Sequence, residues 1–176
     1  MRARNIERKV GAHCLGKDRC AFSVWAPFCT SVALKLISPQ EGIVPLIKGD
    51  WDYWHITAEG IFPGQKYFFR LNVSEDIPDP ASRSQPEGVN GPSQVIDPNF
   101  PWQDSDWKGL HLDDTIIYEI HVGTFTPQGT FDAITPRLGE LLDLGINSLE
   151  IMPVAQFPGE RNWGYDGVFP FAVQNS

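Results

Sequence analysis

Three stretches decide the fold of the second half of the chain: TIIYEIHV at residues 115–122, TPRLGELLDLG at 135–145 and INSLEIM at 146–152. The first and third carry apolar residues on both faces of a strand, as parallel strands covered by helices require. The middle stretch reads as a helix, because Thr135 fits the N-cap and Gly145 fits the position just past the end. Together they predict one βαβ unit, whose crossover should be right-handed.

The first half of the chain has a different pattern, in which short apolar stretches are separated by Pro and Gly turns. The candidate strands lie at residues 20–25, 32–37, 43–47, 51–56 and 66–73. Pro45 places the third of them at a sheet edge, because proline donates no hydrogen bond to a neighbouring strand. Short strands at such regular spacing predict an antiparallel, immunoglobulin-like β-sandwich, which we assign to residues 1–75.

Residues 76–114 form a Pro-rich stretch between these two halves. Its prolines are expected to interrupt any regular element, because they lack the N–H group that helices and sheets need. Apolar side chains such as Val95, Ile96 and Trp107 are uncommon in flexible linkers. We therefore expect this stretch to be an ordered connector.

The remaining segment, residues 115–176, is expected to be the start of a (β/α)8 TIM barrel. It holds about two strands of an architecture that needs about 250 residues. Two parallel strands alone would leave an apolar edge unpaired, which soluble proteins avoid. We therefore expect a truncated barrel, whose remaining part is supplied by further residues or by another polypeptide.

The charge balance narrows the classes of partner. The formal net charge is −8 and the pI is about 4.9, which argues against nucleic-acid surfaces and anionic membranes. The first 20 residues hold no signal-peptide core, and no apolar run approaches 18 residues. We therefore expect a cytoplasmic protein. The N-terminus carries a basic cluster, which consists of Arg2, Arg4, Arg8 and Lys9. We expect this cluster to form a solvated terminal tail.

Neither the cysteines nor the histidines indicate a metal site. Cys14, Cys20 and Cys29 lack the paired spacing of zinc ligands and are expected to be free, buried thiols. The histidines are scattered, without the i, i+4 pairing of a helical metal site, and are expected to be structural. They are His13, His55, His111 and His121.

Several motifs resemble one family of enzymes. The sequences FSVWAP at residues 22–27 and PGQKY at 63–67 are similar to the N-terminal sandwich of branching and debranching enzymes in the α-amylase family of glycoside hydrolases. The connector DPASRSQPEGVNGPS at 79–93 is more specific and resembles the malto-oligosyltrehalose trehalohydrolases of that family. The sequences YEIHVGTFT at 118–126 and FPGERNWGYDGV at 157–168 are similar to the first barrel strand and to the loop after the second.

The resemblance implies a retaining glycosidase that cleaves the α-1,4 bond next to the trehalose end of maltooligosyl-trehalose and releases trehalose. In a retaining mechanism one carboxylate attacks the sugar, and a carboxylic acid about 5–5.5 Å away protonates the leaving oxygen. The family carries these acids on later barrel strands, which implies that they lie beyond Ser176 and that the isolated chain is inactive. The implied ligand is maltooligosyl-trehalose or a related α-glucan, and no cofactor is implied.

The loop WGYDG at residues 163–167 holds the candidate substrate-binding residues. By resemblance, Tyr165 stacks on a sugar ring, since an aromatic face matches the C–H face of a pyranose. Asp166 is a candidate for binding a sugar hydroxyl and Trp163 for shaping the pocket wall, while ordinary packing is the alternative for both aromatic side chains. Glu160 and Asp166 share one Gly- and Pro-rich loop and are expected to be solvated rather than a catalytic pair.

Two tryptophans of the sandwich are weighed as glycan contacts. Trp51 and Trp54 fall on one predicted strand, where positions three apart face opposite sides. They are therefore not expected to form one flat sugar platform. One of the two is expected to lie in the core.

The sequence leaves two further hypotheses open. One is a fragment of a glycogen branching or debranching enzyme, which shares the sandwich motifs but usually has a different connector. The other is a stand-alone α-glucan-binding module, which the sandwich and its tryptophans suggest. That module would need additional residues to cover the open edge of the parallel strands.

Overall fold

A computed structural model of the protein describes residues 9–176. The predicted basic tail lies outside the described residues except for Lys9, which is exposed. The chain divides into two compact units. The first unit comprises the described residues up to Pro98 with Ala155–Pro158 and Val168–Ser176, and the second comprises Asn99–Val154 and Gly159–Gly167.

The first unit is built around two antiparallel sheets. Its strands up to Pro98 are β1 (Gly11–Gly16), β2 (Arg19–Trp25), β3 (Val32–Ser38), β4 (Gly42–Pro45), β5 (Ile47–Lys48), β6 (Tyr53–Glu59), β7 (Lys66–Leu71), β8 (Glu75–Ile77) and β9 (Ser93–Gln94). One sheet has the order β1-β2-β6-β5, and the other has the order β4-β3-β7-β8, with β9 also paired to β7. The sheets share one hydrophobic core, which confirms the predicted β-sandwich.

The core of the first unit follows the two-residue period of its strands. In β2, Phe22 and Val24 are buried, whereas Ser23 is half-buried and Trp25 is exposed. The rings of Phe22 and Tyr67, on opposite sheets, pack edge to face with their centroids 5.0 Å apart. Burying a large apolar side chain stabilises the folded state by roughly 1.5–3 kcal/mol. The inward-facing residues of β2 therefore help to hold the two sheets together.

Residues 43–47, predicted as a single strand, belong to two sheets. β4 ends at Pro45 and pairs with β3, whereas β5 begins at Ile47 and pairs with β6. Leu46 between them is buried, and its N–H donates to the Val32 carbonyl at 2.9 Å. The single-strand prediction is wrong because Pro45 ends the pairing and buried Leu46 carries the chain to the opposite sheet.

The strand predicted at residues 51–56 begins later, at Tyr53. Asp50–Asp52 form a 3-10 turn in which Trp51 has φ 61° and ψ 30°. This left-handed backbone is incompatible with an extended strand. Trp51 therefore lies in a turn and not on β6.

The Pro-rich stretch contains two strand segments, most of β8 and all of β9, where its prolines predicted no regular element. Between them lies the buried carboxylate of Asp79, which accepts hydrogen bonds from the Tyr67 hydroxyl at 2.6 Å and the Ala81 N–H at 2.8 Å. The Asp79 N–H donates to the Ser93 hydroxyl at 2.9 Å. Burial raises the pKa of Asp79, and burial beside that carboxylate raises the pKa of Tyr67 well above its ordinary value. The hydrogen bond between Tyr67 and Asp79 therefore attaches the Pro-rich stretch to β7.

The second unit contains a parallel pair of strands with helices between them. Its elements are β10 (Ile117–Ile120), α1 (Val122–Phe125), α2 (Phe131–Ile134), α3 (Leu138–Asp143) and β11 (Ser148–Ile151). The pairing is in register from Ile117 opposite Ser148 to Ile120 opposite Ile151. The predicted strand, helix and parallel strand are thus confirmed.

The helical segment differs from the prediction at its start. Helix α2 begins earlier than predicted and is capped by Thr130, whose hydroxyl accepts from the Ala133 N–H at 3.4 Å. The predicted N-cap, Thr135, instead opens a 3-10 turn, Thr135–Arg137, that leads into α3. The end is as predicted: Gly145 has φ 88°, and its N–H donates to the Leu142 carbonyl at 2.8 Å.

Two strands that the sequence did not indicate belong to the first unit. They are β12 (Ala155–Gln156) and β13 (Phe169–Val173), which pair antiparallel. Side-chain amides brace this pair, since Gln174 Oε1 accepts from the Phe157 N–H at 3.0 Å and Gln156 Oε1 accepts from the Asn175 N–H at 3.0 Å. The Asn175 amide also donates to the Pro86 carbonyl at 3.0 Å.

Candidate functional site

The candidate substrate-binding residues lie on the segment Gly159–Gly167, which we name the Tyr165 loop. It belongs to the second unit and follows β11 in the chain. The side chain of Tyr165 is 74% exposed, and that of Trp163 is 63% exposed. Both rings are therefore largely open to solvent in the part of the chain that the structure describes.

Asn162 organises the loop through its side chain. Its Oδ1 accepts from the Gly164 N–H at 2.7 Å, and its Nδ2 donates to Asp166 Oδ2 at 2.9 Å. One amide therefore holds the backbone before Tyr165 and the carboxylate after it. The remaining acceptor sites of Asp166, an exposed residue, are suited to hydroxyl donors.

Gly164 sets how closely the loop approaches the end of β11. Its φ is 93°, a conformation that favours glycine. A Cβ added there would lie 2.1 Å from the Pro153 carbonyl oxygen, closer than any real contact. Pro153 follows β11 directly after Met152, so the absence of a side chain at Gly164 lets the loop lie against the carboxyl end of the strand.

His121, the residue after β10, supports the same loop. Its Nε2 lies 2.7 Å from the Asn162 carbonyl oxygen. Since a carbonyl only accepts, Nε2 must carry the hydrogen. The imidazole also meets the Trp163 ring edge to face, with centroids 5.3 Å apart. Its Nδ1 is buried and has no hydrogen-bond partner among the described residues.

The three predicted binding residues thus lie on one loop, and two residues that sequence reasoning did not select, Asn162 and His121, contact that loop. His121 was expected to be structural, and its contacts to the loop agree with a supporting role. The available signal was position: His121 ends the first parallel strand, and side chains at carboxyl ends of such strands meet at one edge. Glu160 is exposed on the same loop.

The two sandwich tryptophans have opposite environments. Trp54 is buried, and its indole N–H donates to the Ala26 carbonyl at 3.1 Å, which confirms that one of the pair lies in the core. Trp51 is 72% exposed. The sequence prediction that Trp51 and Trp54 face opposite sides of one strand is wrong, however. Trp51 lies in the turn before β6, so strand alternation does not determine its exposure.

The cysteines are free, as predicted, but only Cys20 is fully buried. Cys14 and Cys29 are partly exposed, and the Sγ atoms of Cys14 and Cys20 lie 3.2 Å apart across β1 and β2. Burial, followed by the hydrogen bond to Cys14, raises the pKa of Cys20 to about 12. The Cys20 thiol is therefore a poor nucleophile in the folded protein.

Within residues 9–176, no group of three or more His, Cys, Asp or Glu side chains is arranged to hold a metal ion. No helix in the same residues is long and apolar enough to cross a membrane.

Residues 9–98 match the family of carbohydrate-binding module 48, the isoamylase N-terminal domain. The chain belongs to this family. The match covers the strands β1 to β9 of the carbohydrate-binding module, and it continues past residue 75 into the Pro-rich stretch.

Curated relatives extend the similarity beyond the carbohydrate-binding module. The chain is 44% identical over 162 residues to a malto-oligosyltrehalose trehalohydrolase of Saccharolobus solfataricus, covering 92% of this chain and 28% of that protein. It is 38% identical to the enzyme of the same name from Deinococcus radiodurans, covering 86% and 24%. These matches confirm the resemblance seen in the motifs. The chain spans about a quarter of the length of these relatives.

Other similarities are to further glucan enzymes. A 1,4-alpha-glucan branching enzyme of Corynebacterium efficiens is 30% identical, with 86% of this chain and 23% of that protein covered. Among solved structures, a Salmonella typhimurium protein provisionally described as an alpha amylase superposes with a TM-score of 0.87 at 39% identity, covering 95% of this chain and 28% of that one. A pullulanase from Anoxybacillus, complexed with maltotetraose, gives 0.78 at 27% identity, covering 94% and 29%. The chain is therefore similar to the N-terminal part of glycoside hydrolases.

Proposed function

We propose that the chain is the N-terminal portion of a cytoplasmic enzyme that hydrolyses maltooligosyl-trehalose and releases trehalose. The observation that carries this proposal is the 44% identity over 92% of the chain to a protein named malto-oligosyltrehalose trehalohydrolase. The branching enzyme is only 30% identical over a similar span. The proposed organisation is a sandwich at residues 1–75, a connector at 76–114 and the start of a (β/α)8 barrel at 115–176.

In this proposal β10, the helices and β11 are the first βαβ part of the barrel, and the Tyr165 loop faces the substrate. Barrel enzymes place their active sites at the carboxyl ends of the strands, and Gly164 lets the loop lie at that end of β11. Tyr165 would stack on a sugar ring, Asp166 would accept from a sugar hydroxyl, and Trp163 would form part of the pocket wall.

The catalytic carboxylates are proposed to lie on later strands, beyond Ser176. The nucleophile would attack the anomeric carbon, and a carboxylic acid about 5–5.5 Å away would protonate the leaving oxygen. No residue of this chain takes either part, and neither metal nor organic cofactor is needed for this chemistry. The ligand is maltooligosyl-trehalose or a related α-glucan, and the remaining barrel is the proposed structural partner.

Product analysis with the complete protein tests this function. Incubation with maltotriosyl-trehalose should release trehalose, whereas the isolated 176-residue chain should release none. Tyr165→Ala in the complete protein should lower trehalose release, and Tyr165→Phe should retain most of it because the ring is kept. Turnover by the isolated chain, or full activity of the Tyr165→Ala variant, would contradict the proposal.

The second candidate is a glucan branching enzyme, which the Corynebacterium efficiens relative favours. The same incubation separates the two candidates when amylose is added as an alternative substrate. Transfer of glucan chains without trehalose release would favour branching. A stand-alone glucan-binding module would bind maltooligosaccharides without either reaction.

A further inference from the structure

The hairpin of β1 and β2 is closed by a two-residue turn that fixes its register. Lys17 and Asp18 both have a positive φ, 51° and 55°, as the tightest hairpin turns require. A fixed register means that each side chain of β1 has one defined partner on β2. Cys14 stands directly opposite Cys20 in this register.

The two opposed cysteines point to the same side of the hairpin, and their sulfur atoms meet there. Side chains directly opposite each other on antiparallel strands share one face, and the Sγ atoms of Cys14 and Cys20 lie 3.2 Å apart. Opposed residues of such strands have Cα atoms about 4.5–5.5 Å apart, which is inside the range of about 4.4–6.8 Å that disulfide bridges span. The backbone of the hairpin therefore already suits a bridge between them.

A bridge would replace only weak hydrogen bonds. The Cys14 thiol donates to the Ile96 carbonyl, with 3.3 Å between Sγ and O, and the Cys20 thiol donates to the Ile61 carbonyl at 3.6 Å. Thiols are weak donors. The pairing of β1 with β2 is also irregular between Cys14 and Gly16, and such an irregularity lets a strand bend locally. Closing the remaining distance between the sulfur atoms therefore costs the fold little.

The two thiols differ in exposure, which decides where a reaction with a reagent begins. Cys20 is completely buried, whereas Cys14 is partly exposed. Burial holds Cys20 in its protonated form, because it raises the pKa of that thiol to about 12. Since the thiolate and not the thiol attacks a disulfide, a reagent from solution reacts with Cys14 first.

We propose that Cys14 and Cys20 are a redox-active pair, which a low-molecular-weight disulfide such as glutathione disulfide oxidises reversibly to a bridge across the hairpin. In the first step the Cys14 thiolate attacks one sulfur of the reagent, so that a mixed disulfide forms and half of the reagent leaves as a thiolate. In the second step the Cys20 sulfur attacks Cys14 Sγ and displaces the other half. The protons of the two cysteines pass to the two released thiolates. One reagent disulfide is thereby reduced to two thiols while the two cysteines are oxidised to one bridge.

The position of the pair favours the second step and gives the bridge a structural effect. Reacting groups that are already in contact gain orders of magnitude in effective concentration, which offsets the low reactivity of Cys20. Glutathione keeps protein thiols reduced in a cytoplasm, so the bridge forms when disulfides accumulate. β1 is the edge strand of its sheet, and the bridge ties this edge covalently to β2. Oxidation therefore stabilises the first unit, independently of the proposed hydrolase function.

The test uses the Cys29→Ser variant of the 176-residue protein, because Cys29 is partly exposed and would itself take up reagent. After incubation with glutathione disulfide, removal of the reagent and denaturation, the free thiols of this variant should fall from two to none. Its mass should show no attached glutathione, and dithiothreitol should restore both thiols. Trypsin cuts the chain between the two cysteines at Lys17. The peptide that contains Cys14 should therefore remain joined to the one that contains Cys20.

A thermal melt is the second readout. The oxidised Cys29→Ser variant should melt at least about 2 °C above its reduced form, because a bridge restricts the unfolded chain. The control is the double variant Cys14→Ser, Cys29→Ser, or Cys14→Ala, Cys29→Ala if the first does not fold. In the control the Cys20 thiol should stay free, and the reagent should not shift the melting temperature.

Three results would overturn the redox-active pair. They are a glutathione adduct on Cys14 that never closes to a bridge, thiols of the folded Cys29→Ser variant that do not react, and a bridged protein that melts no higher than the reduced one. All three are read from the 176-residue protein and do not involve trehalose release. Failure of this pair is therefore distinguishable from failure of the proposed hydrolase function.

Discussion

The two units bury their apolar side chains to different extents. In the first unit, Leu34 and Phe69 are completely buried between the two sheets. In the second, Ile117, Leu142 and Leu144 are 54%, 66% and 76% exposed. Two antiparallel sheets cover each other's inner faces, whereas a parallel pair of strands needs neighbours on both faces. The first unit thus carries its own core, and the apolar surface of the second suits the larger barrel proposed for it.

The largest effect that would test this contrast is expected from Phe69→Ala. Removing a fully buried ring from the sandwich should lower the free energy of unfolding by about 3–5 kcal/mol, because apolar contacts are lost and a cavity remains. Leu144→Ala is the control in the second unit and should change the free energy of unfolding by less than about 0.5 kcal/mol. Urea unfolding followed by near-ultraviolet circular dichroism measures both. Equal losses would show that the two units do not differ in burial as described.

A smaller effect is expected from Gly164→Ala. This variant tests whether the Tyr165 loop has a defined position in the second unit, although the surface of that unit is exposed. The added Cβ would collide with the Pro153 carbonyl and displace the Tyr165 loop. A displacement of about 1 Å can cost about 10²-fold in rate, so under the proposed hydrolase function trehalose release by the complete protein should fall by about that factor.

The matched control for this loop is Gly159→Ala. Gly159 also has a positive φ, 86°, but an added Cβ would meet no atom of the described residues within 4 Å. This variant bears the same backbone strain without the collision, so it should retain most of the activity. Similar losses in both variants would assign the effect to strain and not to the contact with Pro153.

A weaker, pH-dependent contribution is expected at the edge of the first unit. The Arg70 hydrogen bond, helped by Lys35, lowers the pKa of Asp76 to about 2. A lowered pKa in the folded state means that the carboxylate stabilises the fold above its unfolded pKa of about 3.9, and that this stabilisation is lost as the pH falls towards about 2. Asp76→Asn should therefore destabilise the protein by about 1 kcal/mol at neutral pH.

The measurement for Asp76 is thermal unfolding of the original protein and the Asp76→Asn variant across the acidic range. The difference in melting temperature should shrink as the pH falls below about 4 and vanish only below pH 2, because half of the Asp76 side chains are still ionised where the pH equals their pKa of about 2. A difference independent of pH would show that packing and not charge explains the effect of the substitution.

The smallest effect is a difference in the rates at which the cysteines react, with no change in stability. It tests how well the sandwich core protects Cys20 from solvent. Burial raises the pKa of Cys20 to about 12, so a maleimide at neutral pH should label Cys14 and Cys29 before Cys20. Peptide mapping by mass spectrometry reads the order, and labelling in denaturant, where all three cysteines should react, is the control. Early labelling of Cys20 would mean that the first unit opens readily.

The sequence predicted those parts of the fold in which apolar periodicity and Pro or Gly signals agree. The strand at residues 20–25 was recognised because alternate side chains enter one core, and Gly145 marked the end of a helix by its position. The turn at Asp50–Asp52 was missed because Trp51 is a residue type typical of strands, and this outweighed the turn signal of Gly49 and Asp50 before it. Strand β13 was missed because Phe169–Val173 follows a Gly-rich loop and pairs with a strand of only two residues.

The candidate site residues that lie within one sequence motif were predictable. The contacts between residues far apart in the sequence were not. Trp163, Tyr165 and Asp166 are consecutive or nearly so, and a single resemblance identified them. The bond from His121 to Asn162 joins residues 41 positions apart. The parallel pairing of β10 with β11 was predicted, but the path by which the loop after β11 returns to His121 is not specified by any motif in either segment.

The passage of the chain through Leu46 has a consequence for how the sandwich opens. Because β4 and β5 belong to different sheets and are separated by one buried residue, neither sheet can lose its edge strand without pulling on the other. Opening should therefore involve both sheets together. Amide hydrogens of β3 and β6 are expected to exchange with solvent at a common rate, as one cooperative unit.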